Sequence, residues 1–190
     1  MKIIKSIQDY QQEYRKSIES PEQFWEEIAD DFVWRKKWNK VVEWDFKKPE
    51  IKWFLGGKLN ITENCLDRHL PERGDQTAII WEPNNPADPA KHISYKQLFD
   101  EVCKTANMLK ANGVKKGDRV CIYLPMIPQL AYTVLACARI GAVHSVVFAG
   151  FSARSLVDRI TDAGCKIVVT ADGGFRGEKT INLKGTVRIV

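Results

Sequence analysis

Residues 119–170 read RVCIYLPMIPQLAYTVLACARIGAVHSVVFAGFSARSLVDRITDAGCKIVVT, and their reading decides the fold. RVCIYL (119–124) is a β-prone apolar run. Pro128 opens a helix through AYTVLACARI that is apolar nearly all round, the mark of a buried helix, and Gly141 closes it. VHSVVF (143–148) is a second strand. Ser152 caps a helix carrying Leu156, Val157 and Ile160, and Gly164 ends it. KIVVT (166–170) is a third strand. The order is β-α-β-α-β. The near-continuous apolar character of the last two strands predicts that both are covered on both faces, and right-handed crossovers make the strands parallel. The fold class is therefore α/β: a doubly wound, mainly parallel sheet with flanking helices. Such sheets bind ligands beyond the carboxyl ends of their strands.

Working outward, TAIIW (77–81) is another β-prone run, and EPNNPADPAKH (82–92) is a loop rich in Pro and Asn. Ser94 and Gln97 form a capping box. Leu98, Val102, Ala106 and Leu109 follow at helical spacing, and Gly113 ends that helix. Residues 1–70 differ in kind, with five of the six tryptophans: Trp25, Trp34, Trp38, Trp44 and Trp53. Ser20 and Pro21 start a helix, Gln23 completes a capping-box pattern with Ser20, and Phe24, Ile28 and Phe32 fall on one face. WDFKKPEIKWFLGGKLN has no clean period, and ITENCLDRHL is a short helix. The domain reading is a Trp-rich, irregular and helical arm over 1–70, followed by an α/β domain over 71–190. The aromatic rings of the arm either pack against another surface or line a ligand site.

The net charge of +5 at 28% charged residues is mild and scattered in pairs. It singles out neither nucleic acid nor an anionic surface. Cys65, Cys103, Cys121, Cys137 and Cys165 form no CxxC pair, which predicts buried, reduced thiols and a cytoplasmic setting. The three histidines stand far apart, so no metal is expected. No run approaches the roughly 18 apolar residues that cross a bilayer, so no membrane partner is expected. The chain contains neither GxGxxG nor GxxxxGK[ST].

Two loops leave strand ends with little side-chain bulk. In ADGGFRGEK (171–179) the glycines permit positive φ and close approach to the backbone, and successive N–H groups in such a turn form an anion-binding concavity. Arg176 offers a planar fork for phosphate oxygens, and Lys179 a point charge. The alternative is a surface turn with solvated basic ends. In AGFS (149–152), Ala149 and Gly150 either let an anion approach the following helix start or simply permit tight strand–helix packing. No pair of carboxylates is set up for acid–base work and no Ser, Cys or Lys stands in a nucleophile context, so no catalytic residue is assigned.

The stretch YLPMIPQLAYTVLACARIGAVHSVVFAGFSARSLVDRITDAGCKIVVTADGGFRGEKTINLK strongly resembles the AMP-forming acetyl-coenzyme A synthetases of the adenylate-forming superfamily. FWEEIADDFVWRKKW, WFLGGKLNITENCLDRHL and YKQLFDEVCKTANMLKANGVKKGDRV resemble the amino-terminal region of the same family, so the likeness runs from about residue 5 to 185. The resemblance implies an acid–thiol ligase using acetate, Mg2+-ATP and coenzyme A (CoA), with no nucleic acid or membrane partner. It implies CoA contacts at Arg176, Gly177, Glu178 and Lys179, near the 3′-phosphate, and at Ala149 and Gly150. The family usually has two glycines where this chain has Ala149-Gly150. A propionyl-CoA synthetase is the nearest rival, and TADGGFRGEK favours the acetyl enzymes. The family's ATP loop, acyl pocket and catalytic lysine have no match here, and TVRIV departs from its pattern. An incomplete domain is therefore expected: an amino-terminal fragment inactive by itself. A non-catalytic CoA-binding module, or a structural stub that self-associates through a sheet edge, are the other readings.

Overall fold

The computed structural model describes residues 3–190. The chain divides into two units, residues 1–64 and 65–190.

In the first unit, α1 (Ile7–Glu19) starts with a capping box absent from the sequence reading. Asp9 N–H donates to Ser6 Oγ (3.1 Å), and Ser6 N–H donates to Asp9 Oδ2 (3.1 Å). α2 (Pro21–Asp30) forms as expected, but without the predicted Ser20–Gln23 box. Ser20 also terminates α1, where its N–H donates to Lys16 O (2.9 Å). Its φ of −138° and ψ of 61° lie outside the extended region from which a capping oxygen reaches the next turn. The Gln23 amide donates to Glu27 instead.

The aromatic stretch expected to be irregular is a regular antiparallel hairpin. β1 (Lys40–Asp45) pairs with β2 (Glu50–Leu55), with Val42 opposite Trp53 and Trp44 opposite Ile51. Cross-strand pairing of β-branched and aromatic residues supplies the order that a search for helical period cannot register. Trp34, Trp38 and Phe54 form one ring cluster with centroids 4.9–5.4 Å apart, and Trp34 Nε1–H donates to Ala29 O (2.8 Å). Those rings are packing residues. The segment 61–70, read as one helix, breaks into α3 (Ile61–Cys65) and a 3-10 turn (Asp67–His69) before α4 (Leu70–Arg73).

In the second unit, β3 (Thr77–Trp81) pairs antiparallel with β4 (Lys91–Ser94), so the loop read as 82–92 ends two residues early. α5 (Tyr95–Ala111) carries the expected box: Gln97 N–H donates to Ser94 Oγ (3.2 Å), and Ser94 N–H to Gln97 Oε1 (2.9 Å). Leu98, Val102, Ala106 and Leu109 are its buried residues, as the spacing predicts. Ser94→Ala is expected to cost about 1 kcal/mol. Its urea midpoint should fall with the slope unchanged, and an unmoved midpoint would show that the box contributes nothing.

β5 (Arg119–Tyr123), α6 (Pro128–Ile140), β6 (Val143–Val146), α7 (Ala153–Ala163) and β7 (Ile167–Thr170) follow in the predicted order. Gly141 (φ 74°) and Gly164 (φ 57°) end α6 and α7 in the left-handed conformation that a β-carbon disfavours. The three strands are parallel in the order β6-β5-β7. The chain steps from β5 to one side, then crosses back over it. The alternation of β5 shows the double winding. Val120 and Ile122 enter one core with Val102, Leu109 and Ala136 of α5 and α6. Cys121 and Tyr123 enter a second with Leu156 of α7 and Leu183. β5 is thus the strand covered on both faces. That coverage was expected of β6 and β7, but Val143 and Val146 of β6 are 52% and 51% exposed and β7 is half-buried. The crossover helices return over β5, the middle strand.

A hairpin of β8 (Gly174–Arg176) and β9 (Lys179–Ile181) precedes α8 (Leu183–Arg188). All five cysteines are free, but only Cys121 and Cys137 are buried, and Cys65 is exposed. Burial pushes both buried thiols up to about 11 from an ordinary 9.0. Their contribution to stability is therefore fully present below about pH 9 and lost as pH rises towards 11. In native buffer, mass spectrometry after alkylation should find Cys65 labelled and Cys121 and Cys137 labelled only in urea. Native labelling of the latter pair would contradict the two-core packing.

Candidate functional site

Three parallel strand ends converge on one cleft. β5 runs out through Leu124, Pro125 and Met126; β6 through Val147 to Gly150; β7 through Ala171 to the β8–β9 hairpin. Together they enclose about 460 Å³, lined chiefly by apolar residues, with Ala149, Gly150 and Arg176 among the lining. Three of the six residues predicted to form the site are therefore brought together at the carboxyl end of the sheet. Gly177, Glu178 and Lys179 belong to the hairpin that carries Arg176, but they do not line the cleft.

The loop after β6 is held from below. Tyr123, 1% exposed, places its hydroxyl between the carbonyls of Ala149 (3.1 Å) and Phe151 (3.0 Å), which share its one proton. Ser152 caps α7 by accepting from Ser155 N–H (3.3 Å), so part of that helix start is satisfied from within. Sequence reasoning missed Tyr123. It sits inside an apolar strand, 26 residues before the first carbonyl it serves, and nothing local marks the bond.

The segment expected to be a glycine-rich loop is a hairpin. Phe175 pairs with Thr180 and Arg176 with Lys179 around the two-residue turn Gly177-Glu178. Of its glycines, only Gly177 takes positive φ (60°). Gly174 serves packing: a β-carbon there would stand 2.9 Å from Pro125 Cβ. The N–H of Gly177 donates to Asn84 Oδ1 (3.1 Å), and Asn84 Nδ2–H donates to Gly177 O (2.9 Å). The concavity of successive free N–H groups is thus not formed at Gly177, because a side chain has taken that amide. Asn84 is the second residue the sequence reading missed.

What remains for an anion is side-chain charge. As register partners next to a two-residue turn, Arg176 and Lys179 project from the same face of the hairpin. Like charges directly opposed across a ladder are destabilising. Among the described residues, neither cation forms an ion pair, and the nearby acid Asp172 is committed to Lys184 (2.9 Å). The arrangement is two cations opposed on one hairpin face, Arg176 at the wall of an apolar cleft, neither of them in an ion pair among the described residues although Glu178 stands in the turn between them.

Comparison with known proteins bears on what such a cleft is. Residues 66–188 match the family model described as AMP-binding enzyme. The chain belongs to the AMP-binding enzyme family. Residues 10–65 match a second model, acetyl-coenzyme A synthetase N-terminus. The acetyl-coenzyme A synthetase of Bdellovibrio bacteriovorus is 58% identical over 179 residues, covering 94% of this chain and 28% of that protein. Acetyl-coenzyme A synthetase 2 of Pseudomonas aeruginosa is 58% identical over 180 residues, with the same coverage. Among solved structures, acetoacetyl-CoA synthetase from Streptomyces lividans superposes with a TM-score of 0.84 at 30% identity, over 92% of this chain and 27% of that one. The chain thus spans a little over a quarter of the AMP-binding enzymes it matches. Among its described residues, no helix is long and apolar enough to cross a membrane.

Proposed function

We propose that this chain carries the nucleotide-end part of a CoA site in an acetate–CoA ligase. The observation that carries the reading is the pair Arg176 and Lys179, opposed on one hairpin face and, among the described residues, not engaged in an ion pair. An apolar cleft opens beside Arg176. Arg176 grips the 3′-phosphate with its fork, and Lys179 adds charge. Gly177 and Glu178 form the turn between them, while Ala149 and Gly150 form the opposite wall against which the ligand's body lies. Residues 1–70 act as the family's amino-terminal arm and 71–190 as the first part of its AMP-binding domain. A cytoplasmic setting fits the free cysteines.

In the longer protein of this reading, an acetate oxygen attacks the α-phosphorus of ATP and expels diphosphate. The CoA thiol then attacks the acyl carbon and expels AMP. ATP and Mg2+ belong to that longer protein. Among the described residues no three His, Cys, Asp or Glu side chains come together, and no role in holding Mg2+ is assigned to this chain. Acetate rather than propionate is proposed because the acetyl-CoA synthetases are relatives at 58% identity. The chain by itself is expected to release no acetate-dependent diphosphate.

Titration calorimetry tests the site. CoA should bind at least about 10-fold more tightly than 3′-dephospho-CoA, the difference shrinking at high salt. Equal affinities, or no heat at millimolar ligand, would overturn the reading. The outer position of β6 in the three-stranded sheet favours a second reading, a structural module that self-associates through the β6 edge. Light scattering that gives a concentration-independent monomer mass would remove it.

A further inference from the structure

The β8–β9 hairpin should not hold its shape unaided. It has three residues in each strand and, among the described residues, bonds to no third strand. A two-stranded ribbon of that length is marginal in water, and its closing pair is two cations. It is nevertheless placed so that Arg176 enters the cleft wall. Something outside the hairpin fixes it there.

The anchor comes from 93 residues away. The carboxamide of Asn84 offers one donor and one acceptor side by side, and both are used on a single residue of the turn, Gly177. The two bonds reproduce the donor–acceptor exchange of a β-ladder, with a side chain in place of a strand. The loop bearing Asn84 is itself tied down. Just before it, Trp81 Nε1–H donates to Met126 O (2.8 Å) at the rim of the same cleft. Just after it, Asn85 Oδ1 accepts from Ala87 N–H (3.1 Å), and Asp88 N–H donates to Asn85 O (3.0 Å). A stiff loop therefore presents a bidentate amide to the turn between the two cations.

We infer that Asn84 is a positioning residue of the anion site: it locks the Gly177 turn and so fixes Arg176 and Lys179 on one face before ligand arrives. The inference deepens the proposed CoA site and rests on it for the identity of the ligand. Its physical content is pre-organisation. Without the clamp, the tip samples many orientations, and binding must order two long side chains as well as the backbone beneath them.

The test uses the whole 190-residue chain, 15N-labelled, as wild type, Asn84→Ala and Arg176→Ala. Amide order parameters at Gly177 and Glu178 should fall in Asn84→Ala from about 0.85 to below about 0.6, with the parallel sheet unchanged. CoA affinity should weaken about 3- to 10-fold in the same variant. Arg176→Ala should do the reverse, losing affinity while the tip stays ordered. An unchanged order parameter at Gly177 in Asn84→Ala overturns the inference whatever happens to CoA. A disordered tip with unaltered CoA affinity overturns the positioning role. If the wild-type chain binds no CoA but Asn84→Ala still loosens the tip, the clamp stands and the proposed function falls.

Discussion

Arg176→Ala is expected to weaken CoA binding by roughly 10- to 150-fold, the largest effect of any single substitution in the cleft. The magnitude follows from one charge-assisted contact worth about 1.5–3 kcal/mol, with each 1.4 kcal/mol equal to tenfold in affinity. Removing Arg176 leaves Lys179 alone on the hairpin face, and an ammonium cannot present two parallel N–H groups to a phosphate. Arg176→Lys should therefore recover only part of the loss. The loss should be smaller against 3′-dephospho-CoA, because the partner of the fork is already gone. Stability should change little or rise slightly, since the substitution relieves like-charge opposition across the closing pair. Calorimetry on the two variants with the two ligands gives a four-way comparison. An equal loss for both ligands would remove the 3′-phosphate as the partner of Arg176.

Ile122→Ala is expected to destabilise the second unit by about 2–5 kcal/mol. Ile122 is fully buried on the middle strand, between Val146 of β6 and Val169 of β7 in register, and it faces the core built with α5 and α6. Its side chain has no path to solvent, so the vacated volume stays a cavity. Against a typical total of about 5–15 kcal/mol, the variant should unfold at markedly lower urea. Val143→Ala, on the exposed β6, should cost far less, within about 0.5 kcal/mol. Similar costs for the two would mean that β5 is not the strand covered on both faces. Such a loss in Ile122→Ala would reach the cleft as well, because the next residue, Tyr123, holds the carbonyls of Ala149 and Phe151.

The legible part of this protein lay in local, periodic signals. The Ser94–Gln97 box, the 98/102/106/109 stripe and the left-handed glycines at 141 and 164 each act within a turn or two of chain. The structure carries all of them. The same signals misled at Ser20, where one residue serves two helices and its oxygen cannot reach the second. The candidate cleft was legible in part. Small residues and cations after apolar strands pointed to Ala149, Gly150 and Arg176, and these line one cleft, whereas Gly177, Glu178 and Lys179 do not. That the cations sit on a hairpin was not legible, because Gly177 reads equally well in a loose loop and in a two-residue turn.

The sequence by itself determined the succession of β5, α6, β6, α7 and β7, their parallel sense and the capping that bounds the helices, since propensity and period act between near neighbours. Only the tertiary structure decided that β5 lies in the middle, that the aromatic stretch over 40–55 pairs as a hairpin, and that Asn84 and Tyr123 hold the two walls of the cleft. Those contacts join residues up to 93 positions apart. Whether they form depends on the packing of everything between them, which leaves no mark on either residue's neighbours.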